Sequence, residues 1–208
     1  MNQLLQKYNL KLTPSQIEQF GKFLGLFTEY NSHTNLSAIR DEQGIIEKHF
    51  IDSLLLTKFE DLSWKLLDIG SGGGFPGIPL KIFQPKLKVI LLDSVGKKIN
   101  AMNHFVKELW LEGILAIKER AEVLALNPVY AKQYDIITSR ATAYTPQILA
   151  WARPFLASKG RIILYKLDKP EEMREWQEAM KKLWLKIQAI HKYVLADQER
   201  IFVVVVKR

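Results

Sequence analysis

Cysteine is absent from the 208 residues. That excludes a disulfide framework, a thiolate metal site and any catalysis that begins with attack by a cysteine thiolate, as methyl transfer to C5 of a pyrimidine usually does. Histidine is sparse: four residues are scattered along the chain, with no H-E-x-x-H or comparable spacing to gather ligands on one helical face. No metal is expected. Long apolar runs are also missing, and none approaches the ~20 residues that span a bilayer. The opening MNQLLQKYNLKLTPSQ lacks the charged, apolar and small-residue regions of a secretory signal. A soluble cytoplasmic protein without membrane contact is expected. Acidic residues are the minority, 22 against 30 Lys and Arg, and the resulting charge of +8 favours a polyanionic partner such as nucleic acid. No internal repeat, linker or low-complexity segment interrupts the chain, so one compact unit is expected.

The stretch that organises the rest is Leu66-Leu67-Asp68-Ile69-Gly70-Ser71-Gly72-Gly73-Gly74-Phe75-Pro76-Gly77, a short apolar strand running into a glycine-rich turn and a helix. Glycines remove the Cβ atoms that keep a backbone away from a ligand, and they permit positive φ. Pro76 suits a first helical turn, where its missing N–H has no partner. Two registers fit. Gly72, Gly74 and Gly77 match the dinucleotide pattern G-x-G-x-x-G. Asp68, Gly70, Gly72 and Gly74 match D-x-G-x-G-x-G, which resembles motif I of the class I methyltransferases that use S-adenosylmethionine. The second register accounts for Asp68, an acid that a dinucleotide turn does not need to receive a pyrophosphate. A glycine-rich turn that binds nothing is a third reading.

Residues 1–60 read as a helical extension packed on a Rossmann-like domain over 61–208. Thr13-Pro14-Ser15-Gln16 supplies an N-cap, a proline at N1 and a capping-box partner for a helix to about Asn31, with Ile17, Phe20, Leu24 and Phe27 at helical spacing. After a polar break at 33–37, a second helix carries Ile45, Ile46, His49, Phe50 and Leu54 on one stripe. The two are expected to cap one sheet edge, with His49 a core histidine. From residue 66 strands alternate with helices, the pattern of parallel βαβ units, with further strands at 89–93, 114–118, 134–141 and 160–166. A charged helix over about 171–185 leads to strands 189–195 and 200–206, joined by 196–199 as an antiparallel hairpin closing one edge. Asp93 lies about 20 residues beyond the glycines, where a carboxylate accepts both hydroxyl protons of an adenosine ribose, of S-adenosylmethionine or NAD alike. The loop Glu119-Arg120-Ala121-Glu122 is expected to border the adenine.

An acceptor belongs at the end of the fourth strand. Enzymes that methylate exocyclic amines of bases usually carry [D/N]-P-P-[Y/F] there, whereas this chain has Thr138-Ser139-Arg140-Ala141. Asn127-Pro128-Val129-Tyr130 precedes the strand and reads as a turn. Ring nitrogens and hydroxyls remain. Guanine N7 carries an in-plane lone pair and needs only placement about 3–3.5 Å from the methyl group. A 2′-hydroxyl calls for a proton acceptor, and Lys166 keeps that alternative open. Arg140 can fork onto a carboxylate or phosphate or reach the O6 edge of a guanine; the bland alternative is a surface salt bridge.

Asn35-Leu36-Ser37, His49-Phe50-Ile51-Asp52-Ser53, the run from Asp68 to Leu80, Leu91-Leu92-Asp93-Ser94 with Lys97-Lys98, Arg120-Ala121-Glu122 and Ser139-Arg140-Ala141 together resemble the RNA small-subunit methyltransferase G family, also called glucose-inhibited division protein B. The resemblance covers nearly the whole chain. It implies the class I S-adenosylmethionine-dependent methyltransferase fold, an α/β, Rossmann-like arrangement around a mostly parallel seven-stranded sheet. It also implies N7-methylation of one guanine, conventionally numbered 527, in the 530 loop of bacterial 16S ribosomal RNA. The implied donor is S-adenosylmethionine, and the implied partner is 16S rRNA or the 30S subunit, met by a monomer. The implied cofactor contacts are Gly70, Phe75, Asp93, Ser94, Val95, Ala121, Glu122 and Arg140, joining the motif residues Asp68, Gly72 and Gly74. Arg140, Asn35 and Lys166 are the catalytic candidates, and Lys97, Lys98, Arg120 and Arg200 the RNA contacts. Leu167 departs from the glycine that family members often carry after the lysine. An NAD-dependent oxidoreductase and a non-enzymatic ribosome-assembly factor are the other readings, separable by calorimetry with the two cofactors and by a methyl-transfer assay.

Overall fold

The computed structural model describes residues 1–62, 64–140 and 142–208, with side chains throughout except at 170, 171, 173 and 174. Ala141 of the motif after the fourth strand thus lies outside the described residues. A short helix α1 (Asn2–Lys7) precedes α2 (Pro14–Thr34), and the capping box forms as read: Thr13 Oγ1 accepts from the Gln16 N–H at 3.3 Å, and Gln16 Oε1 accepts from the Thr13 N–H at 2.9 Å. Phe20, Phe23 and Phe27 are fully buried along one side of α2, each burial worth about 2–3 kcal/mol.

The second helix is not continuous. α3 (Glu42–Ile45) passes into a π-helical turn over Ile46–Ile51, then α4 (Asp52–Leu55) and a 3₁₀ turn. Phe50, Ile51, Asp52, Ser53, Leu54 and Leu55 are all buried, so the end of the π turn and α4 are enclosed on every side. A single stripe of period 3.6 could not bury that set.

Strands β1 (Lys65–Ile69), β2 (Lys88–Asp93), β3 (Ile114–Lys118), β4 (Tyr134–Arg140), β5 (Leu156–Leu167), β6 (Leu185–Leu195) and β7 (Gln198–Lys207) form one sheet in the order β3-β2-β1-β4-β5-β7-β6. The first five are mutually parallel, and β7 inserts antiparallel between β5 and β6. Helices α5 (Gly77–Phe83), α6 (Gly96–Glu108), α7 (Ala121–Leu124), α8 (Thr145–Ala152) and α9 (Pro170–Lys182) connect them. β5 and β6 each begin four residues earlier than their patterns suggest. α9 stops at Lys182, and Trp184 then takes φ 55°, which ends the helix and starts β6. The final hairpin turns on Ala196 and Asp197 alone, at φ 47° and 62°, a pair of left-handed residues matching the strands' twist.

Alternate strand residues feed two cores. Leu66, Ile136, Ile163 and Phe202 pack with α2, α5 and α6, while Leu67, Ile137, Ile162 and Val203 pack with α8 and α9. The N-terminal helices therefore cover a sheet face and do not cap an edge, because the buried phenylalanines need a broad apolar floor. Among the described residues no helix is long and apolar enough to cross a membrane.

Candidate active site

Strand order reverses between β1 and β4, and the crevice over the carboxyl ends of such strands is where open α/β sheets bind ligands. The loop leaving β1 is pinned to β2 by Gly70 and Ser71 N–H groups, which donate to the Leu92 carbonyl at 2.8 and 3.1 Å. Its glycines serve different ends. Gly70 has φ +73°, and a Cβ there would lie 2.3 Å from Thr142 Cγ2; at Gly77 a Cβ would lie 2.2 Å from Leu91 Cδ2, so that glycine lets α5 settle on β2. At Gly72, with φ +58°, a Cβ would meet only the Gly70 carbonyl oxygen at 3.9 Å, so this glycine answers to backbone conformation rather than to crowding. Pro76 stands as the residue just before α5 rather than inside its first turn.

The two acids of the motif reading separate. Asp68 is fully buried beneath the loop: its Oδ2 accepts from the Gly77 N–H at 3.0 Å, and its Oδ1 accepts from the Thr138 hydroxyl at 2.9 Å. Burial pushes its carboxyl up to about 6 against those hydrogen bonds. Asp68 braces the loop and does not reach the crevice. Asp93 does. Its Oδ1 accepts from the Val95 N–H at 2.9 Å, and its Oδ2 accepts from the Gly72 N–H at 3.0 Å and lies 3.4 Å from Lys98 Nζ. The carboxylate is thereby fixed at the end of β2 with lone pairs left for a ligand.

A cleft of about 460 Å³ opens there, within the range of small-molecule sites. Of the expected cofactor residues it is lined by Gly70, Asp93, Ser94, Val95, Ala121 and Glu122, and Glu119 and Arg120 complete the loop read as bordering the adenine. Lys98 and Arg120, read as RNA contacts, also line it, with Lys98 turned onto Asp93 and Arg120 pairing with Glu122 at 3.5 Å. Thr142, Gln147 and Trp151 form the opposite wall. The sequence reading missed these three. Gln147 and Trp151 stand four apart on α8, so one helical face carrying both was the available signal. An adenosine donor fits this lining: an acid at the β2 end, the Gly70 backbone with no side chain to obstruct it, and apolar Ile69, Leu92 and Ala121.

Gly72, Gly74, Phe75 and Arg140 do not line the cleft, although the Gly72 N–H fixes Asp93 from behind. Phe75 is 5% exposed, stacked on His49 at 4.6 Å between ring centroids, with the Arg140 guanidinium 5.3 Å from its own ring centroid. Arg140 forks onto protein: Nη1 donates to Asp52 Oδ2 at 3.0 Å and to the Lys48 carbonyl at 3.1 Å, and Nη2 donates to His49 Nδ1 at 3.1 Å. This is neither the ligand fork nor the surface salt bridge anticipated. An arginine only donates, so Nδ1 of His49 is unprotonated and Nε2–H donates to Ser37 Oγ at 2.8 Å. Burial, and then the charge of Arg140, hold His49 down to about 3, a satisfied core histidine.

Arg200 turns inward, 3.5 Å from Asp52 Oδ1, where Tyr193 also donates at 2.8 Å. Arg200 lies near the hairpin turn, paired across the strands with Tyr193, and both side chains meet the buried carboxylate. Asn35 is exposed at the left-handed end of α2, and its Oδ1 accepts from Arg40, not from anything in the cleft. Lys166 lies outside the cleft lining on the α9 side, its Nζ 5.6 Å from the Trp176 ring centroid, and burial lowers its pKa. Lys97 is exposed. Among the described residues no three His, Asp or Glu side chains gather to hold a metal.

The family model described as "GidB: rRNA small subunit methyltransferase G" matches residues 16–201. A ribosomal RNA small subunit methyltransferase G of Roseiflexus sp. (strain RS-1) is 38% identical over 182 residues, 85% of this chain and 76% of that protein. The protein of the same name from Streptococcus pneumoniae serotype 19F (strain G54) is 35% identical, covering 99% of this chain and 88% of its own length. Among solved structures, an S-adenosylmethionine-dependent methyltransferase from Aquifex aeolicus superposes with a TM-score of 0.60 at 17% identity, over 78% of this chain and 93% of that one. M. jannaschii TYW2 in complex with AdoMet gives 0.60 at 17% identity, over 81% and 77%. These likenesses agree with the sheet order and the cleft at its switch point, and with a family match over most of its length the chain belongs to the rRNA small subunit methyltransferase G family.

Proposed function

We propose that this protein transfers the methyl group of S-adenosylmethionine to N7 of guanine 527 in the 530 loop of 16S rRNA, working in the cytoplasm as a monomer on rRNA or the 30S subunit without a metal. The observation that carries the choice of atom is the distribution of carboxylates: those lining the cleft are Asp93, Glu119 and Glu122, all on the β2–β3 side. Among the described residues nothing acidic lines the wall beside β4, where the acceptor belongs, so the geometry suits a nucleophile that brings its own lone pair and surrenders no proton at the transition state.

Gly70, Asp93, Ser94, Val95, Ala121 and Glu122 would hold the donor, with the Gly72 N–H keeping Asp93 in place. When bound, it supplies an electrophilic methyl group on a sulfonium. The chain's own part is to orient: Asp93 is a fixed acceptor for paired hydroxyls, and Thr142, Gln147 and Trp151 shape the facing wall. Absence of covalent machinery leaves positioning as the main catalytic contribution, and effective molarity from positioning alone is worth about 7–11 kcal/mol.

The test is to map methyl groups on 16S rRNA from a strain lacking the gene, and to transfer labelled methyl from the donor to small-subunit RNA with purified protein. Loss of N7 methylation at guanine 527, restored by the protein, is the expected result. Unchanged methylation there would end the claim.

A further inference from the structure

We propose that the end of the sheet opposite the cleft is a second docking surface, built to take the phosphate backbone and an unstacked base of an rRNA segment distant from the methylated guanine. This rests on the rRNA reading above and extends it to a surface that the chemistry does not use.

Two grooves, of about 320 and 410 Å³, lie where β5 and β6 begin and β7 ends. The first is lined by Lys159, Lys186 and Lys207, and the second by Lys181, Lys186 and Arg208, so Lys186 at the sheet end lines both. Among the described residues no carboxylate lines either groove, and none of these five cations has an ion-pair partner. Lys207 is crowded further by Arg153 and Lys132, which lower its pKa after burial does. Like charges gathered without counter-ions cost folding energy and offer a polyanion its gain through counterion release.

Trp184 stands at this same end, 69% exposed, with its carbonyl accepting from the Arg208 N–H at 2.9 Å. Its φ of 55° is a conformation that favours glycine or asparagine, so neither burial nor backbone preference explains a tryptophan there. An indole face beside lysines is the combination that stacks a base while the charges hold the backbone. Seven residues of β7 separate Lys207 from Arg200, at the cleft end of the sheet, which sets the two surfaces roughly 25 Å apart. A short oligonucleotide at the cleft does not reach both; a folded ribosomal RNA does.

The variant is Lys159→Glu with Lys181→Glu and Lys186→Glu, all exposed and without side-chain hydrogen bonds among the described residues. Donor affinity by calorimetry, unchanged in the variant, reports an intact fold. Binding to protein-free 16S rRNA is expected to weaken at least tenfold, and the slope of log affinity against log salt to fall by about one for each lysine that meets a phosphate. KM for 30S particles rises with kcat unchanged. Equal affinity and equal salt slope in the two proteins overturn the proposal. A rise in KM on particles with RNA binding unchanged also overturns it, assigning the patch to a ribosomal protein. If the unaltered protein transfers no methyl to small-subunit RNA, the rRNA reading itself has failed, a result distinct from either.

Discussion

Arg140 Nη1 and Asp52 Oδ2 meet at 3.0 Å across 88 positions of sequence, and the carboxylate is completely buried between two arginines and the Tyr193 hydroxyl. The pair ties the exit of β4 to the start of α4 in the N-terminal helices. Asp52→Asn keeps the shape and removes the charge, leaving Arg140 and Arg200 without their anion. Breaking a fully buried pair costs about 3–5 kcal/mol, and because the arginines are 13% and 21% exposed the expected loss is nearer about 2. Urea unfolding checks it, as a lower midpoint at unchanged slope. An equal midpoint would show that the two guanidiniums are satisfied without the carboxylate.

His49 and Asp68 make opposite contributions to acid stability. The fold holds His49 down to about 3 from 6.5, so the unfolded chain binds a proton that the fold refuses, and stability falls as pH drops through that window. Asp68 is pushed up to about 6 from 3.8, so its contribution is fully present below 3.8 and lost as pH rises through 6. Between pH 6 and 3.8 the two largely cancel. Asp68→Asn removes the compensating group, and the variant is expected to lose about 1.4 kcal/mol per pH unit relative to the parent between pH 6 and 4. Urea midpoints at pH 7, 5 and 4 measure it, and parallel curves for the two proteins refute it.

Residues that were legible in sequence are those whose function depends on local spacing. Asp93 follows the glycines at a fixed interval, the 119–122 loop ends a strand, and the capping box at Thr13 is four residues long; all three stand where their patterns imply. Arg140 reads in sequence as a ligand contact and Arg200 as an RNA contact because a lone arginine carries no mark of its partner. Asp52 reaches them only through packing of helices against sheet, which no periodicity encodes. The contact between Lys98 and Asp93 is illegible for a different reason: the lysine lies one helical turn past the strand end and reaches back to it only once α6 is placed. The π turn at Ile46–Ile51 was illegible because its apolar residues fit a straight helix almost as well.

Gly70→Ala separates backbone strain from steric clash. Alanine at φ +73° costs about 1–2 kcal/mol by itself, and its Cβ would lie 2.3 Å from Thr142 Cγ2 and 2.8 Å from Thr142 Cβ. The loop must shift, and with it the Gly72 amide that fixes Asp93. Donor affinity is expected to fall at least tenfold. Adding Thr142→Gly removes the clash but not the strain, so the double variant recovers part of the loss, with a coupling of about 1 kcal/mol or more in calorimetric titrations. Additive losses would place the fault in the backbone alone.

Lys166 decides between a ring nitrogen and a hydroxyl as the acceptor. A 2′-hydroxyl must lose its proton as the methyl arrives, and Lys166 is the group in this region whose pKa burial lowers toward that task. Guanine N7 loses nothing, so no proton acceptor enters the rate. Lys166→Ala removes the ammonium lying 5.6 Å from the Trp176 ring centroid and leaves the cleft lining untouched. For N7 transfer, kcat on small-subunit RNA stays within about threefold, under about 1 kcal/mol of barrier, and is flat between pH 6.5 and 8.5. A loss of about 100-fold or more, with a rate that climbs tenfold per pH unit, marks proton abstraction in the rate-limiting step. That outcome would move the methyl group from the base to the sugar.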